Sequence, residues 1–338
     1  MELIRGLHNL RPRHRGCVAT IGAFDGVHRG HQAVLRALLE KGRELRLPVT
    51  VILFEPLPRE FFAPLQSPPR LMSFQEKIVA LRELGIDRVL RIRFNRKLSE
   101  MSADEFLQRV FVDGLGVRYV VMGDDIHFGK GRKGNFELLQ QTGVRHGFEV
   151  ARTCSVLQDD ERVSSTRIRT ALEAANFVEA EKLLGRPYSI SGRVMVGQQL
   201  GRTIDVPTAN LHLRRLRAPL AGVYAVEVIG AVEAFGVEKQ GAARETLFGV
   251  ANVGTRPTIG DLTKAILEVH IFNFSKNLYH RNLKVIFRKK LRDEEKFSSL
   301  DALKQQIACD LQAGREYFDL LKPPLSHLGR GAGGEGKS

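Results

Sequence analysis

Four short apolar runs punctuate the first half of the chain: VATIG at 18–22, TVILF at 50–54, RVLRI at 88–92 and YVVMG at 119–123. Runs of this length and composition read as strands buried on both faces. Between them apolar residues recur at spacings of three and four, at Val34, Leu35, Leu38 and Leu39, at Ile78 and Leu81, and at Phe106 and Val110. That is the spacing of amphipathic helices. Strands alternating with helices predict parallel βαβ units in a doubly wound α/β sheet, whose ligands gather beyond the carboxyl ends of the strands. A helix expected over about 166–184, apolar at Ile168, Leu172 and Leu183 and closed by Gly185 with Pro187 beyond, ends the pattern.

After residue 185 the texture changes. SISGRVMVG, GVYAVEVIG, TLFGVANVG, AILEVHIFNF and LKVIFRKKL are β-rich runs separated by turn residues, which predicts an antiparallel β-barrel or sandwich. A last helix over about 299–321 places Leu300, Leu303, Ile307 and Leu311 on one face to cover it. The expected division is 1–185 for an α/β domain, 186–322 for a β domain, and 323–338, rich in Gly and Pro, for a disordered tail.

At 338 residues and 43% hydrophobic content the chain has material for two cores. Its formal charge of +14 favours anionic partners. With no Trp, five Tyr and no arginine-rich arm, the stacking platforms of a single-strand binder are missing, so a generally basic surface is expected rather than a nucleic-acid site. No apolar run is long enough to span a bilayer, and the first sixteen residues lack an apolar signal core, so no membrane association and a cytoplasmic location are expected. Cys17, Cys154 and Cys309 are odd in number and far apart, as expected of small buried or half-buried thiols rather than a disulfide framework or zinc site.

Candidate chemistry starts at GAFDGVHRGH, residues 22–31, directly after the first apolar run. Gly22, Gly26 and Gly30 let backbone approach a ligand closely, and a helix starting near Gly30 offers free amides and its positive end to an anion. His28 and His31, three apart, face the same helix mouth and add donors. A glycine-rich turn alone is a weak signal; two histidines flanking a glycine there sharpen it to a phosphate cradle.

His28, Arg29, Gly30 and His31 resemble the HxGH signature of the nucleotidyltransferase superfamily. The longer string GAFDGVHRGHQ resembles the bacterial bifunctional riboflavin kinase/FMN adenylyltransferases, the FAD synthetases, and FEPLPREFF (54–62), PPRLMSFQEK (68–77), MGDDIHFGKGRKGN (122–135) and SSTRIR (164–169) follow in the family's order. The resemblance implies attack of the FMN phosphate on the α-phosphorus of ATP, giving FAD and pyrophosphate, with Mg²⁺ assisting. It assigns His28, His31 and Arg169 to the ATP phosphates, and Gly22, Phe24, Gly26, Gly30, Ser164, Ser165 and Thr166 to ATP binding; the last three also read as caps of their helix. Phe62 and Asp125 become candidate flavin contacts. Leu57, Ile126 and His127 depart from the family pattern on the flavin side.

In the second half, GRTIDVPTANL (201–211) reads by itself as a Pro-directed turn. In LEVHIFNF (267–274), a strand would turn Leu267, Val269 and Ile271 one way and Glu268 and His270 the other. These segments resemble the riboflavin kinase signature. The resemblance makes Thr208 and Asn210 ligands of Mg²⁺ and of nucleotide phosphates, with Gly201 beside the ATP. Glu268 becomes the base that takes the proton of the riboflavin 5′-hydroxyl as its oxygen attacks the γ-phosphorus, and Arg292 and Glu295 of LRDEEKF become flavin contacts. Asp205 and Val206 replace the usual Gly and Phe, and Asn273, Asn277 and His280 replace Asp, Asp and Gly.

The expectation is thus a bifunctional enzyme with a nucleotidyltransferase-type α/β domain and a riboflavin kinase β-barrel closed by a helix. Riboflavin, FMN and ATP are its substrates, FMN and FAD its flavin products, and a monomer or weak homo-oligomer its state. The alternative expectation is a single FMN adenylyltransferase activity beside a weakened kinase half, motivated by Asp205.

Overall fold

The computed structural model describes residues 1–123, 126–153, 156–196, 206–232, 246–257 and 263–321. Six strands, β1 (Glu2–Arg5), β2 (Val18–Ile21), β3 (Val49–Phe54), β4 (Arg88–Ile92), β5 (Tyr119–Met122) and β6 (Glu149–Arg152), form one parallel sheet in the order β1-β4-β3-β2-β5-β6. The four apolar runs are its four central strands. Its edges, ELIR and EVAR, carry alternating charge and little burial and gave no apolar run to read.

Helices cover both faces. On one side α1 (Arg29–Leu45) inserts Leu35 and Leu38 among Val18, Val51 and Val89, after which come α2 (Pro58–Phe62) and α3 (Phe74–Glu83), the latter adding Ile78 and Leu81. Beyond α4 (Arg96–Ser99), α5 (Ala103–Phe106) runs on into a π-helical stretch, Leu107–Gly114, and with α6 (Phe136–His146) buries Phe106, Val110, Phe111 and Leu139 on the opposite face. The hairpin of β7 (Leu157–Gln158) and β8 (Glu161–Arg162) leads into α7 (Ser165–Glu173) and α8 (Phe177–Leu184). The single helix expected over 166–184 is therefore two. Ala175 turns left-handed, at φ 53°, which interrupts the helix, and Asn176 caps the second helix by accepting from the Glu179 amide at 3.0 Å. Gly185, at φ 75°, closes it as expected.

The second half is a closed antiparallel barrel of β9 (Ser189–Met195), β10 (Ala209–His212), β11 (Gly222–Val232), β12 (Thr246–Pro257), β13 (Thr263–Ile271) and β14 (Asn282–Arg292), in the order β10-β13-β12-β11-β14-β9, with β9 pairing back to β10. PTANL thus enters a strand at Ala209 instead of remaining a turn. Tyr224, Val226, Val253, Leu267, Val269 and Phe287 fill the interior. The last helix, α9 (Leu300–Leu320), closes over Val223, Ala225, Val250 and Phe272. Of the expected covering face, Leu311 packs against this cluster and Leu303 and Ile307 are half-buried, but Leu300 is exposed, and the fully buried positions are Asp310, Gly314 and Phe318. Gly314 lets the helix approach, because a Cβ there would lie 2.5 Å from Val250. Cys17 is buried, which pushes its thiol up to about 11. Cys309 is exposed on α9, contrary to the expected buried or half-buried thiol, and Cys154 and the tail 323–338 lie outside the described residues.

The two halves share a core. Leu71, Val163, Ile168, Leu183 and Leu184 pack with Tyr188, Ile190, Leu211 and Phe287 in one cluster. A polar seam runs beside it: the fully buried Arg215 pairs with Glu76 and donates to the carbonyls of Arg70 and Leu71, each at 3.1 Å. Glu76 also accepts from the Ser191 amide at 2.6 Å.

Candidate active sites

At the carboxyl end of β2 the chain passes through Gly22–Val27 and enters α1. Gly26 is left-handed at φ 86°, and a Cβ there would meet Leu71 at 2.8 Å. Gly30 serves a different need, since a Cβ would sit 3.2 Å from the His28 ring. His28 is the N-cap of α1: its Nδ1 accepts from the His31 amide at 3.3 Å, which leaves the ring proton on Nε2. The His28 and His31 rings stack with centroids 3.6 Å apart, and Phe24 tilts against His31 at 5.0 Å. Burial pulls His28 down to about 4. Burial, then the neighbouring His28 and Lys77, holds His31 well below its ordinary value. Near neutral pH both rings are therefore uncharged and each offers one N–H. His31 Nδ1 is buried without a partner.

Asp25, 3% exposed, organises the surroundings of this turn. It accepts from the amides of Leu71 and Met72, each at 3.1 Å, and from Arg169 Nη2 at 2.5 Å. Arg169 also donates from Nε to the Pro69 carbonyl at 2.6 Å. The arginine expected at the triphosphate is thus held at the mouth of the turn by two of its nitrogens. Ser165 donates to the Asp25 carbonyl at 2.8 Å, Ser164 caps α7 through the Arg167 amide at 3.2 Å, and Thr166 is exposed in the first turn of α7. SSTRIR and GAFDGVHRGH, far apart in sequence, are one locality.

Phe62 is 67% exposed at the end of α2 and forms an edge-to-face cluster with Phe61 and Phe94. Beneath it Arg70 pairs with Glu55 and Glu60, and Glu60 accepts from the amide of Leu57 at 3.1 Å, which positions that departing residue at the helix start. Ile126 packs partly buried on the sheet core and His127 is exposed. Asp125 lies outside the described residues, as do Gly201 and Asp205.

Strand register builds the barrel's polar site. Asn210 on β10 lies opposite Glu268 on β13, and Glu268 lies opposite Asn252 on β12. Directly opposed residues share a face, here the outer one, because the neighbouring Leu211, Leu267, Ala251 and Val253 belong to the interior cluster. Thr208 precedes β10 and is half-buried. His270, next along the same face as Glu268, meets the Pro207 carbonyl at 3.0 Å, which ties the PTAN segment to β13. Arg292 is committed to α9, giving two hydrogen bonds of 2.8 Å to Asp310 and lying over Phe297 at 5.6 Å, while Glu295 is exposed in the segment after β14. Asn273 and His280 both adopt positive φ, 54° and 65°, and Asn277 accepts from the Tyr279 amide at 2.8 Å. Among the described residues no group of three His, Cys, Asp or Glu side chains could hold a metal, and no helix is long and apolar enough to cross a membrane. The oxygens of Thr208 and Asn210 suit a hard cation whose remaining shell is water and phosphate.

Sequence reasoning missed Asp25, Glu76, Arg215 and Asn252. Only Glu76 left a local signal, the capping box Ser73-x-x-Glu76. The partners of the others come from distant segments.

Comparison with known proteins matches residues 10–167 to the FAD synthetase family and 184–318 to the riboflavin kinase family. A bifunctional riboflavin kinase/FMN adenylyltransferase of Pseudomonas fluorescens is 52% identical over 97% of this chain and all of its own, and that of Escherichia coli K12 is 48% identical over 96% of this chain and all of its own. A crystal structure from Streptococcus pneumoniae, described as a macrolide-efflux protein, superposes with a TM-score of 0.71 at 30% identity, covering 93% of this chain and 99% of that one. With both halves matched in order and relatives aligned over their full length, this chain belongs to the bifunctional riboflavin kinase/FMN adenylyltransferases, the enzymes that phosphorylate riboflavin to FMN and adenylylate FMN to FAD.

Proposed function

We propose that the two activities divide at about residue 185: residues 1–185 adenylylate FMN and residues 186–322 phosphorylate riboflavin. The observation that carries this division is the position of the two polar constellations, one at a strand-to-helix turn of the parallel sheet and the other on the outer face of the barrel. In the first, an FMN phosphate oxygen attacks the α-phosphorus of ATP and the bond to pyrophosphate breaks. His28 and His31 donate hydrogen bonds to the phosphates as neutral rings, the amino end of α1 adds its dipole, and Arg169, oriented by Asp25, adds charge. Ser164, Ser165 and Thr166 border this ATP with Gly22, Phe24, Gly26 and Gly30. Phe62 offers an aromatic face to the flavin ring.

In the barrel, Glu268 takes the proton of the riboflavin 5′-hydroxyl while that oxygen attacks the γ-phosphorus and ADP leaves. Thr208 and Asn210 would hold Mg²⁺, which supplies charge neutralisation at the phosphates. Arg292 acts on the flavin side chiefly by fixing α9, and Glu295 stands beside it. The proposal includes a cytoplasmic location, in keeping with two ATP-dependent steps on small-molecule substrates.

Incubating the protein with riboflavin, ATP and Mg²⁺, and separately with FMN, and separating the flavins tests the division. Glu268→Ala is expected to abolish FMN formation while FMN is still converted to FAD. Replacing His28 and His31 is expected to do the reverse. Equal loss of both activities in either variant would refute two separate sites.

A further inference from the structure

The row Asn210–Glu268–Asn252 holds one atom that its own fold does not use. Asn252 Oδ1 is buried and has no hydrogen-bond partner. Buried amide oxygens are nearly always paired, because desolvation without a partner is costly. This one lies on the strand facing the proposed base, across from Glu268 on one side and Val223 on the other.

Its surroundings grade from polar to apolar. Toward β10 lie Glu268 and Asn210; toward β11 lies Val223, which with Val250, Phe272 and Phe318 forms the apolar cluster under α9. Two residues along the same face of β12, the Glu294 carboxylate rests on Gly254, where a Cβ would meet it at 2.1 Å. An amide oxygen can only accept, and a carboxylate base accepts as well, so a ligand that engages both brings two donors. Directly opposed side chains on neighbouring strands stand roughly 5 Å apart at Cβ, a span that hydroxyls along one polyol chain can bridge.

We infer that Asn252 is a positioning residue of the kinase reaction: its Oδ1 accepts a hydrogen bond from a secondary hydroxyl of the ribityl chain and thereby presents the terminal hydroxyl to Glu268. The inference rests on the proposed role of Glu268 as base. It assigns the polyol, rather than the isoalloxazine ring or the nucleotide, to Asn252.

The test uses the full-length protein and two flavins, riboflavin and lumiflavin, which keeps the ring system and lacks the polyol. In Asn252→Ala the KM for riboflavin is expected to rise roughly tenfold, the loss of one hydrogen bond to a buried acceptor. Lumiflavin affinity, the KM for MgATP and FMN adenylylation are expected to stay at wild-type values. An unchanged riboflavin KM, a parallel loss of lumiflavin binding, or a shift confined to MgATP overturns the inference, the last because the oxygen would then serve the cation. Should Asn252→Ala fail to fold, the unaltered protein still decides: riboflavin must bind more tightly than lumiflavin, and equal affinities overturn the claim. Glu268→Gln measured in parallel separates the two layers. Wild-type phosphorylation by that variant sinks the base assignment, whereas loss of phosphorylation beside a neutral Asn252→Ala sinks only the polyol contact.

Discussion

In the α/β half a single stretch of ten residues carries His28, His31 and three glycines, and groups 46 to 160 positions away clamp it through Asp25 and through the carbonyl of Gly26. In the barrel, Asn210, Glu268 and Asn252 come from three different strands, and the backbone ladder alone aligns them. The first arrangement, the proposed phosphate cradle, buries its two rings, which strips charge from both histidines. The second leaves Glu268, the proposed base, on a sheet face. A buried turn should therefore respond to changes throughout its packing, whereas a row on a sheet should respond chiefly to its own members.

The sharpest way to break this contrast is the exchange of activities described above. Glu268→Ala is expected to lower riboflavin phosphorylation by roughly 10³-fold, within the range for removing a general base, and to leave adenylylation within twofold. A coupled assay of each step on the purified variants reads both numbers.

Next in size is the seam between the halves. Arg215 is fully buried against Glu76, so Arg215→Ala leaves a buried carboxylate uncompensated and is expected to cost about 3–5 kcal/mol. Because the Leu71 carbonyl accepts from Arg215 while the Leu71 amide donates to Asp25, adenylylation should fall before phosphorylation as the variant is warmed. Thermal unfolding followed by both activities checks this. The opposite order of loss would show that the turn does not depend on the seam.

The histidines give a smaller effect with a definite sign. His28 binds its proton at about 4 in the folded chain, against an ordinary 6.5. Between those values the unfolded chain holds a proton that the folded chain does not, so stability is complete above about pH 6.5 and declines as pH falls toward 4. At pH 5 the loss is about 2 kcal/mol from this group. Unfolding midpoints at pH 7 and pH 5 should converge in His28→Asn relative to the unaltered protein. The same depressed value predicts that adenylylation does not decline between pH 6 and 8 through loss of a His28 charge.

How much could be read beforehand follows the same division. The central strands were legible because strands covered by helices on both faces are apolar without interruption, as in Val18–Ile21 and Val49–Phe54. The edge strands were not, since ELIR and EVAR bury little. PTAN hid a strand because Ala209–His212 has one fully buried residue, Leu211, among polar neighbours. The proposed cradle was legible since His28 and His31 lie within one short stretch that resembles a known signature. Its clamp was not, because Asp25 and Arg215 act on segments that only the folded chain brings near. Asn252 sat inside a quoted apolar run, GVANVG, and became a candidate only when register set it opposite Glu268.

The smallest effect tests whether the barrel site depends on anything outside its row. Arg292 lies opposite Val223 on β14 and binds Asp310 of α9 through two nitrogens, with Gln306 donating to the same carboxylate at 3.0 Å. That pair, with Asp310 buried and Arg292 half-buried, fixes the helix whose Phe318 covers Val250 and Phe272. Asp310→Asn keeps the side-chain shape and removes the charge, so about 1 kcal/mol of anchoring should be lost. If α9 serves only as a lid on the apolar cluster, riboflavin KM rises severalfold, kcat for phosphorylation holds and adenylylation is untouched. A fall in kcat with constant KM would mean instead that the helix aligns the row itself, and the contrast between a packed turn and a self-sufficient row would not stand.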